Sequence, residues 1–440
     1  MNNDNHTLAE QLVQRCLALG ADEASVSVSS STHVHITRRD GQVEQATEAT
    51  TRGLGVAVLV GDRFSSSSTS DLRPDALEAF TERCVEAASY LEADPARRQP
   101  DASECGRGAS VAQLDQDDPA WDERSSEDRL RDVEELEGAI RARSASNVIS
   151  HGTFVADGRS EVTRVFSNGF SDTDKGAWFA VGGDCTLTDG EKRPEAGVHF
   201  GARYLADIPD VNDIARTLRE RADERIGARP IESGSYPMIL DARAAGRILG
   251  MLAGPLAGAS LHQERSCLKD KHGERIGSDV FSIHDEPGLP RGLGSRPWDG
   301  DGRVAKSFPV IEKGVLKNFY IGQYYARKLN RPATTGGRSN WVIPAGDASW
   351  QEIAKGWPKA IRVTGFLGGN SNSTSGDFSF GIQGQLIEHG VATQPLAEMN
   401  VAGNLLTLFH SLVACADDPW AWSAVRSPTL LFEDVQFSGA

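Results

Sequence analysis

Five side chains that could bind a metal or move a proton lie within one stretch of eleven residues: His262, Glu264, Cys267, Asp270 and His272. Imidazole nitrogens and thiolate sulfurs are ligands that zinc prefers, so His262, Cys267 and His272 could form a zinc site. Their spacing of five and five residues, however, matches neither two ligands one helical turn apart nor a zinc knuckle. A self-sufficient site that also uses His284 therefore stays an alternative, not the preferred interpretation.

The stretch before this cluster carries no titratable side chain over residues 248–260. Apolar residues at helical spacing predict a buried helix over residues 242–258, which explains the missing charge, and Pro255 should kink or end it. After the cluster, His284, Asp285 and Glu286 precede Pro287 and are expected to be solvated charges at the end of a strand.

A glycine- and serine-rich stretch, GFLGGNSNSTSGDFSFG, has the composition of a phosphate-binding loop. No helix is signalled after it to hold an anion on its amides, and the chain lacks both the GxSxG and the GxxxxGK[ST] motifs. A turn-rich loop in which Asn370, Asn372 and Asp377 cap their own backbone accounts for this composition without a ligand.

The composition is that of a soluble globular protein, with 440 residues of which 39% are hydrophobic and 25% are charged. The net charge of -16 and the lack of a basic block argue against a nucleic-acid partner. No apolar run is long enough to span a membrane, and the first residues do not resemble a signal peptide. Six widely spaced cysteines predict free thiols, so a cytoplasmic location is expected.

The elements that must position these residues begin with a helix and a strand meander. Thr7 and Glu10 predict a capping box at the start of the helix, and Gly20 predicts its end. Period-two alternation then predicts strands, with turns at Asp40-Gly41 and Gly61-Asp62.

The same pattern is predicted a second time further along the chain. A helix runs from Pro74 to about Tyr90, and residues 92–128 have the composition of an exposed connection. Another helix follows, with turns at Asp157-Gly158 and Asn168-Gly169 and a further helix that leads to Pro230. This repetition indicates a duplicated unit of helix and antiparallel hairpins.

The second half, residues 231–440, is richer in glycine and in strand-like segments. Paired apolar runs around Lys313-Gly314 and His389-Gly390 predict hairpins. The sequence therefore predicts an α+β fold with two domains. An N-terminal α+β domain over residues 1–230 contains the duplicated unit. A mostly antiparallel sheet or barrel-like domain over residues 231–440 carries the 242–258 helix packed on it.

Several segments of this second half resemble one known family. They are RSCLKDKHGERI, GSRPWDGDGRVAKSFPVIEKGVLKNFYIGQYYARKL and, further on, GGNSNSTSGDFSFGIQGQLIEHGV with MNVAGNL. Together with the N-terminal GADEASVSVSS and RRDGQVEQATEATTRGLGVAVLVGDRFSSSSTSDL, they resemble the TldD/PmbA family. Its members were first named modulators of DNA gyrase and are viewed as cytoplasmic peptidases. The resemblance covers nearly the whole chain, with the motifs in the right order.

The resemblance favours the branch of this family that lacks a catalytic metal. Members of the TldD branch carry His-Glu-x-x-x-His on a helix of the second domain, and this motif aligns with residues 249–254, which read LGMLAG here. The TldD branch also has a cysteine near its C-terminus, whereas no cysteine follows Cys415 in this chain. The SGDFS segment is similar to the TldE (PmbA) branch.

By this resemblance the chain is a non-catalytic subunit that pairs with a TldD-like chain, and the zinc belongs to that partner. Such a complex is expected to hold an unfolded or extended peptide in an internal chamber, for proteolysis or for leader-peptide removal in peptide maturation. The chain could form a homodimer when alone. Two alternatives stay open: a self-sufficient metal-dependent peptidase with the atypical His/Cys site, and a homodimeric peptide-binding module.

No catalytic residue and no metal ligand is therefore predicted in this chain. Two polar segments of the family-like motifs, residues 296–301 and 368–381, are predicted to position the peptide. The residues predicted for this role are Arg296, Asp299, Asp301, Asn370, Asn372, Asp377 and Phe378. The competing interpretation is that both segments are turns that shape the sheet domain.

Overall fold

A helix, three antiparallel strands and a second helix occur twice in the first half of the chain. The computed structural model describes residues 2–144 and 147–439, with the side chains of all of these except residues 2 and 3. The first unit comprises α1 (Asn2–Ala18), β1 (Glu23–Arg39), β2 (Gln42–Val60), β3 (Arg63–Thr69) and α2 (Pro74–Ala88). Two short helices follow, α3 (Val111–Leu114) and α4 (Ala120–Glu123). The second unit comprises α5 (Ser126–Arg143), β4 (Val148–Phe166), β5 (Ser171–Leu187), β6 (Glu195–Ala202) and α6 (Val211–Asp223).

The two units join into one six-stranded sheet in the order β3-β2-β1-β4-β5-β6. Every neighbouring pair is antiparallel, and β1 lies beside β4 at the centre. Each unit also has its own apolar cluster: α1 and α2 pack on one end of the sheet, and α5 and α6 pack on the other. The predicted duplicated α+β pattern is therefore confirmed.

Hairpin turns with left-handed backbone connect the strands where the sequence predicts them. The φ angles are 49° and 88° at Asp40-Gly41, and 52° and 63° at Gly61-Asp62. Positive φ at both central residues is the requirement of a type I′ turn. The predicted turn at Asp157-Gly158 is wrong, because both residues lie inside β4. Asp157 has no exposed surface there and accepts two hydrogen bonds from Arg129, each of 2.8 Å.

The first helix begins earlier than its local sequence signals. α1 starts at Asn2, so Thr7 lies inside the helix and the predicted capping box with Glu10 is wrong. A contact with the second unit lies in the first turns, where Asn5 Nδ2 donates to Glu161 Oε1 at 3.4 Å. Because this partner is distant in sequence, the capping signal alone could not place the helix start.

The segment between the two units makes specific contacts with the second half of the chain. The amide of Gly108 donates to the Pro297 carbonyl at 2.8 Å, and Gln116 Nε2 donates to the Ser295 carbonyl at 2.8 Å. Leu114 of α3 is buried as well. The polar composition of this segment did not indicate these contacts, since the Gln116 partner lies 179 residues further along the chain.

The second half of the chain combines a barrel with a small sheet and five short helices within the described residues. Its elements are β7 (Gly234–Leu240), α7 (Ala242–Gly250), α8 (Gly258–His262), β8 (Ile283–Asp285), β9 (Phe308–Glu312), β10 (Val315–Leu316), α9 (Gln323–Leu329), β11 (Trp341–Val342), α10 (Trp350–Ala354), β12 (Ala360–Ser371), β13 (Asp377–Glu388), β14 (Val391–Pro395), β15 (Met399–Asn404), α11 (Leu405–His410), β16 (Leu412–Cys415), β17 (Val425–Arg426) and β18 (Leu430–Gly439).

Five of these strands close into a barrel. They follow the order β12-β7-β18-β15-β13, and the pairing of β13 with β12 completes the ring. A second sheet has the order β10-β9-β8-β11-β17. The predicted hairpin turns are also present, with φ of 46° and 77° at Lys313-Gly314 and 49° and 82° at His389-Gly390. The α+β class and the barrel-like second half are therefore confirmed.

The helix predicted over residues 242–258 is shorter than expected, and its apolar face is buried. α7 ends at Gly250 and turns follow before α8, so the helix stops ahead of Pro255. Ala245, Ile248 and Leu249 have no exposed surface, which confirms that burial explains the missing charge. Over the described ranges, none of the helices is both long and apolar enough to cross a lipid bilayer.

The buried pair of Arg129 and Asp157 tests this packing. We expect Asp157→Asn to lower the free energy of unfolding by about 3–5 kcal/mol, because it removes the carboxylate that compensates a buried guanidinium. Chemical denaturation followed by circular dichroism measures the loss. Asp213→Asn is the matched control, since it breaks an exposed ion pair with Arg216 and should cost at most about 1 kcal/mol. Equal losses in both variants would contradict the prediction.

Candidate functional site

A cleft of about 1090 Å³ lies between the second N-terminal unit and the barrel. The sheet forms one wall through Phe154 and residues of β5 and β6, and α6 adds Thr217 and Arg221. The facing wall consists of the first turns of α7, from residue 242 to residue 247, together with β12 from residue 364 to residue 368. The loop that carries Trp420 and Trp422 completes the lining.

Three arginines and one aspartate line this cleft, although the whole chain carries a net charge of -16. Arg243 donates two hydrogen bonds to Asp241, of 3.0 and 3.2 Å, and its guanidinium lies 5.9 Å from the centre of the Trp420 ring. Arg247 is exposed, and its guanidinium lies 4.9 Å from the centre of the Phe380 ring. The cleft is therefore locally basic and aromatic.

Arg221 is a half-buried arginine of the lining that forms no ion pair with a carboxylate among the described residues. Its Nη2 donates to the Thr364 carbonyl at 3.3 Å. Burial lowers the pKa of its guanidinium, and the charge of Arg243 lowers it further. Asp241 and Glu224 raise this pKa from a distance, but their ion pairs are made with other arginines. A positive charge thus lies beside the cleft with only a neutral acceptor.

Asp241 holds Arg243 of the α7 wall and Arg362 of β12 in place. It caps α7 by accepting the Arg243 amide at 3.1 Å, and its carboxylate pairs with both Arg243 and Arg362. Burial by itself raises the pKa of Asp241, but the hydrogen bonds and charges of these two arginines outweigh burial and lower the pKa to about 2. The carboxylate is therefore ionised at neutral pH.

β12 presents an open edge to the cleft. It pairs with β7 only at residues 361–363, because β7 ends at Leu240. Its pairing with β13 continues beyond this point, with a bulge at Thr364. In the described chain, the backbone groups of residues 365–368 that point away from β13 have no neighbouring strand. Such an edge can accept an added strand.

The residues aligned with the TldD zinc motif, 249–254, end α7 and continue into the turns after it. Leu249 and Leu252 are 0% exposed and belong to the core of the second half. Gly254 packs against the loop between β12 and β13, where an added Cβ would lie 2.7 Å from Ser373 Oγ. None of the six residues is a histidine, cysteine, aspartate or glutamate, the residues that bind zinc in proteins.

The His and Cys side chains after α7 do not share one site, because each packs against different residues. His262 lies 6.0 Å from the Tyr325 ring, and His272 lies 6.2 Å from the Phe319 ring. Burial raises the pKa of the Cys267 thiol, which disfavours the thiolate that a metal requires. Among residues 2–144 and 147–439, no three His, Cys, Asp or Glu side chains come together as metal ligands would.

Asp285 is not a solvated charge, and that prediction is wrong. Its side chain is 1% exposed and accepts hydrogen bonds from the Tyr320 hydroxyl at 2.6 Å and the Ser339 amide at 2.9 Å. Burial raises the pKa of Asp285, while these hydrogen bonds oppose the rise. The partners lie 35 and 54 residues away in sequence, so the local pattern could not indicate them.

The predicted residues of the 296–301 segment lie in turns outside the cleft lining. Arg296 donates to Thr335 Oγ1 at 3.1 Å. Asp299 is 3% exposed, and its Oδ1 accepts the amide of Asp301 at 2.9 Å. Asp301 Oδ2 accepts the Gln323 amide at 2.9 Å, and burial raises the pKa of its carboxyl. All three side chains therefore have partners within the protein.

The four predicted residues of the 368–381 segment lie where β12 turns into β13. Asn370 lies in β12 opposite Ser379 of β13, and Phe378 is buried in β13. Asn372 caps its own backbone as predicted, with Oδ1 accepting an amide two residues later at 2.8 Å. Asp377 instead accepts from Asn404 Nδ2 at 2.9 Å. No hydrogen bond or ion pair within the described chain joins this group to the 296–301 group. Their role in positioning a peptide stays a prediction.

The side chains that shape the cleft are not among the residues predicted from the sequence. Trp420 and Trp422 have ring centres 4.7 Å apart, and each packs on Phe200. The PWAW stretch was the available signal, since two tryptophans two residues apart are unusual outside a core or a binding surface. Nothing in the sequence around Arg221 or Arg247 predicts a binding role, because the other residues of the cleft come from distant segments.

Comparison with known proteins places this fold in a family. The chain matches the PmbA/TldA metallopeptidase C-terminal domain over residues 233–439 and PmbA/TldA metallopeptidase domain 1 over residues 24–88. A solved protein from Bacteroides thetaiotaomicron VPI-5482, described as a candidate modulator of DNA gyrase, is 34% identical, covers 99% of each chain and has a TM-score of 0.93. The chain belongs to the PmbA/TldD family.

Two further relatives of the chain have lower sequence identity. Metalloprotease PmbA of Escherichia coli O157:H7 is 26% identical, over 98% of this chain and 96% of its own length. The crystal structure of TldE from Thermococcus kodakarensis has a TM-score of 0.86 over 98% of this chain and 100% of its own. At 19% identity this likeness shows a shared fold.

Two adjacent glycines test the geometry of the β12 edge. An added Cβ at Gly369, where φ is 109°, would lie 2.3 Å from the Ser379 carbonyl oxygen, whereas at Gly368, with φ of 55°, it meets nothing within 4 Å. We expect Gly369→Ala to lower the free energy of unfolding by about 2–4 kcal/mol through backbone strain and the clash. Gly368→Ala is the control and should cost about 1 kcal/mol from the left-handed backbone alone. Urea denaturation that ranks the two variants in the opposite order would contradict the described edge.

Proposed function

We propose that this chain is the non-catalytic, TldE-type subunit of a zinc metallopeptidase complex, with a TldD-like chain as its catalytic partner. The observation that carries the proposal is the burial of Leu249 and Leu252 in a segment, residues 249–254, that offers no metal ligand. No histidine anywhere in the sequence is followed by glutamate, so the motif has not moved elsewhere. These residues do not fit a zinc ion, and no catalytic step through a metal is derived for this chain.

An extended peptide is the substrate that best fits the cleft. The open edge of β12 can bind a peptide backbone of any sequence, and a folded protein seldom presents an unpaired strand. The aromatic rings of Phe200, Trp420 and Trp422 can cover apolar side chains of the same peptide. We infer that the chain helps to hold an unfolded peptide, or the leader of a peptide under maturation, for cleavage by the partner's zinc.

Thiol chemistry supports a cytoplasmic location for this complex. All six cysteines are free, and burial raises the pKa of Cys16, Cys185 and Cys415 to about 11. Free buried thiols are typical of proteins in a reducing compartment. In the absence of the partner, we expect the chain to form a homodimer through the surface that otherwise binds the TldD-like subunit.

Metal content and cleavage test the proposed role together. We expect the chain, purified without chelator or metal-affinity tag, to contain far less than one zinc per chain, because its motif segment has no ligands. It should cleave an unstructured peptide only after mixing with a TldD-like chain. Plasma mass spectrometry and chromatography of the products measure the two quantities. A TldD-like chain without its motif histidines is the matched control and should form the complex without cleavage.

Two outcomes would contradict this proposal in different ways. Cleavage by the chain alone that survives repurification, carries zinc and is lost in His262→Ala would favour the self-sufficient peptidase. Failure to form a heterodimer with a cognate TldD-like chain, measured by native mass spectrometry, would favour the homodimeric peptide-binding module.

The loop between β12 and β13 allows the proposed peptide-positioning role to be tested. Asn372→Ala removes the oxygen that accepts the Thr374 and Ser375 amides, so the loop loses its fixed shape. We expect the assembled complex to cleave peptide about tenfold more slowly, since a misplaced substrate reacts slowly. Asn372→Asp keeps an acceptor oxygen and should retain most activity. An unchanged rate in Asn372→Ala, at equal heterodimer yield, would leave this loop as a structural turn only.

A further inference from the structure

We propose that the cleft binds a carboxylate group of the extended peptide, with Arg221 and Arg247 as the side chains that contact it. The identification of the ligand as a peptide rests on the proposed function, whereas the requirement for negative charge is derived from the cleft itself. A carboxylate can come from an acidic side chain or from a free C-terminus, and the experiment below separates these two sources.

Arg221 lies beside the cleft without a bound carboxylate. A guanidinium removed from water loses hydration that a carboxylate normally replaces, so an arginine beside a cleft without such a partner lacks its counter-ion. The Thr364 carbonyl, at 3.3 Å, accepts from one nitrogen only. Since a guanidinium carries five N–H donors, donors remain for a ligand with two acceptor oxygens.

The neighbouring carboxylates cannot fill this role. Asp241 is bound by Arg243 and Arg362, and Glu224 pairs with Arg362 at 3.4 Å. Asp184, the acidic residue of the lining, pairs with Arg39 at 3.4 Å. Glu220, which is exposed on α6, raises the pKa of Arg243 but forms no ion pair with Arg221 or Arg247. An incoming anion is therefore the group that would balance these two arginines.

Arg247 adds a second, exposed positive charge to the same cleft. No ion pair within the described chain involves it, and its guanidinium is held over the Phe380 ring at 4.9 Å. A ring contact of this kind restrains the side chain without neutralising it. The cleft thus offers one half-buried and one exposed guanidinium with no acid of the described chain bound to either.

The position of Arg221 connects this charge to the peptide-binding edge. Thr364, whose carbonyl accepts from Arg221, is the first residue of β12 beyond its pairing with β7. A strand added along residues 365–368 would therefore pass beside Arg221 at one end of the edge. Main-chain hydrogen bonds would hold a peptide of any sequence, and the Arg221 guanidinium would select those segments that bring a carboxylate to this end.

Fluorescence anisotropy with labelled unstructured peptides tests the inference on the isolated full-length chain. The probes share one sequence and differ at one internal position, Glu or Gln, and at the C-terminus, free acid or amide. At low salt we expect at least one of these changes to weaken binding about tenfold, and the change that does so identifies the source of the carboxylate. Arg221→Gln and Arg247→Gln should each abolish most of this preference, and Arg221→Lys should retain part of it.

Arg216→Gln is the matched control for these variants. Arg216 lies on α6 as Arg221 does, but it is exposed, pairs with Asp213 and does not line the cleft. The control should keep the full preference for the charged peptide. Because Arg247 is exposed, its variant stays informative even if Arg221→Gln destabilises the fold.

Three results would overturn the inference. Equal binding of all four peptides would remove the carboxylate site and leave the proposed peptide-holding function in place. An undiminished preference in both glutamine variants would place the contact elsewhere. Absence of binding by any probe at low salt would also reject the site, and the cleavage assay with the TldD-like partner would then decide the proposed function separately.

Discussion

The ionised carboxylate of Asp241 is the group on which the cleft depends. Asp241 lies between the end of β7 at Leu240 and the start of α7 at Ala242, and its amide donates to the Val363 carbonyl of β12 at 3.0 Å. The side chain binds Arg243 and Arg362, whose charges also act on Arg221. With a neutral residue at this position, three guanidinium groups would repel one another at the junction of three elements. The arrangement of the α7 wall therefore follows from one buried negative charge.

The same helix supports the proposed role of a subunit without a metal. A helix that carries metal ligands must direct them toward a cavity, but the last turn of α7 directs Leu249 into the core. Restoring a histidine there would place an imidazole among apolar side chains and remove a buried leucine, which together destabilise a fold by several kcal/mol. A metal ligand on this face of α7 would therefore have to replace a core side chain, so packing and metal binding compete for the same face.

The features that the sequence predicted correctly are those set by local chemistry. Asp40-Gly41 and Lys313-Gly314 require left-handed backbone whatever surrounds them, and the apolar face of α7 requires burial. Two of the wrong predictions concern a side chain with a distant partner. The Asp157-Gly158 pair predicts a turn, because Asp-Gly usually forms one, yet Arg129 pairs with Asp157 inside a strand. The local sequence predicts a solvated Asp285, because its partners Tyr320 and Ser339 are remote in sequence. The cleft could not be predicted from local sequence for the same reason, since its walls come from both halves of the chain.

The acidic surface and the basic cleft act on a peptide over different distances. A net charge of -16 repels an acidic peptide, but at physiological salt this repulsion is screened beyond about 8 Å. Within the cleft the half-buried Arg221 is screened less, so attraction prevails only after the peptide has entered. Entry itself needs an extended chain, since the partner of the β12 edge is a bare backbone strand. For the proposed peptide ligand, backbone pairing and charge would therefore act one after the other: the open edge would admit peptides that are unfolded, and the arginines would then retain those that carry a carboxylate at the right place.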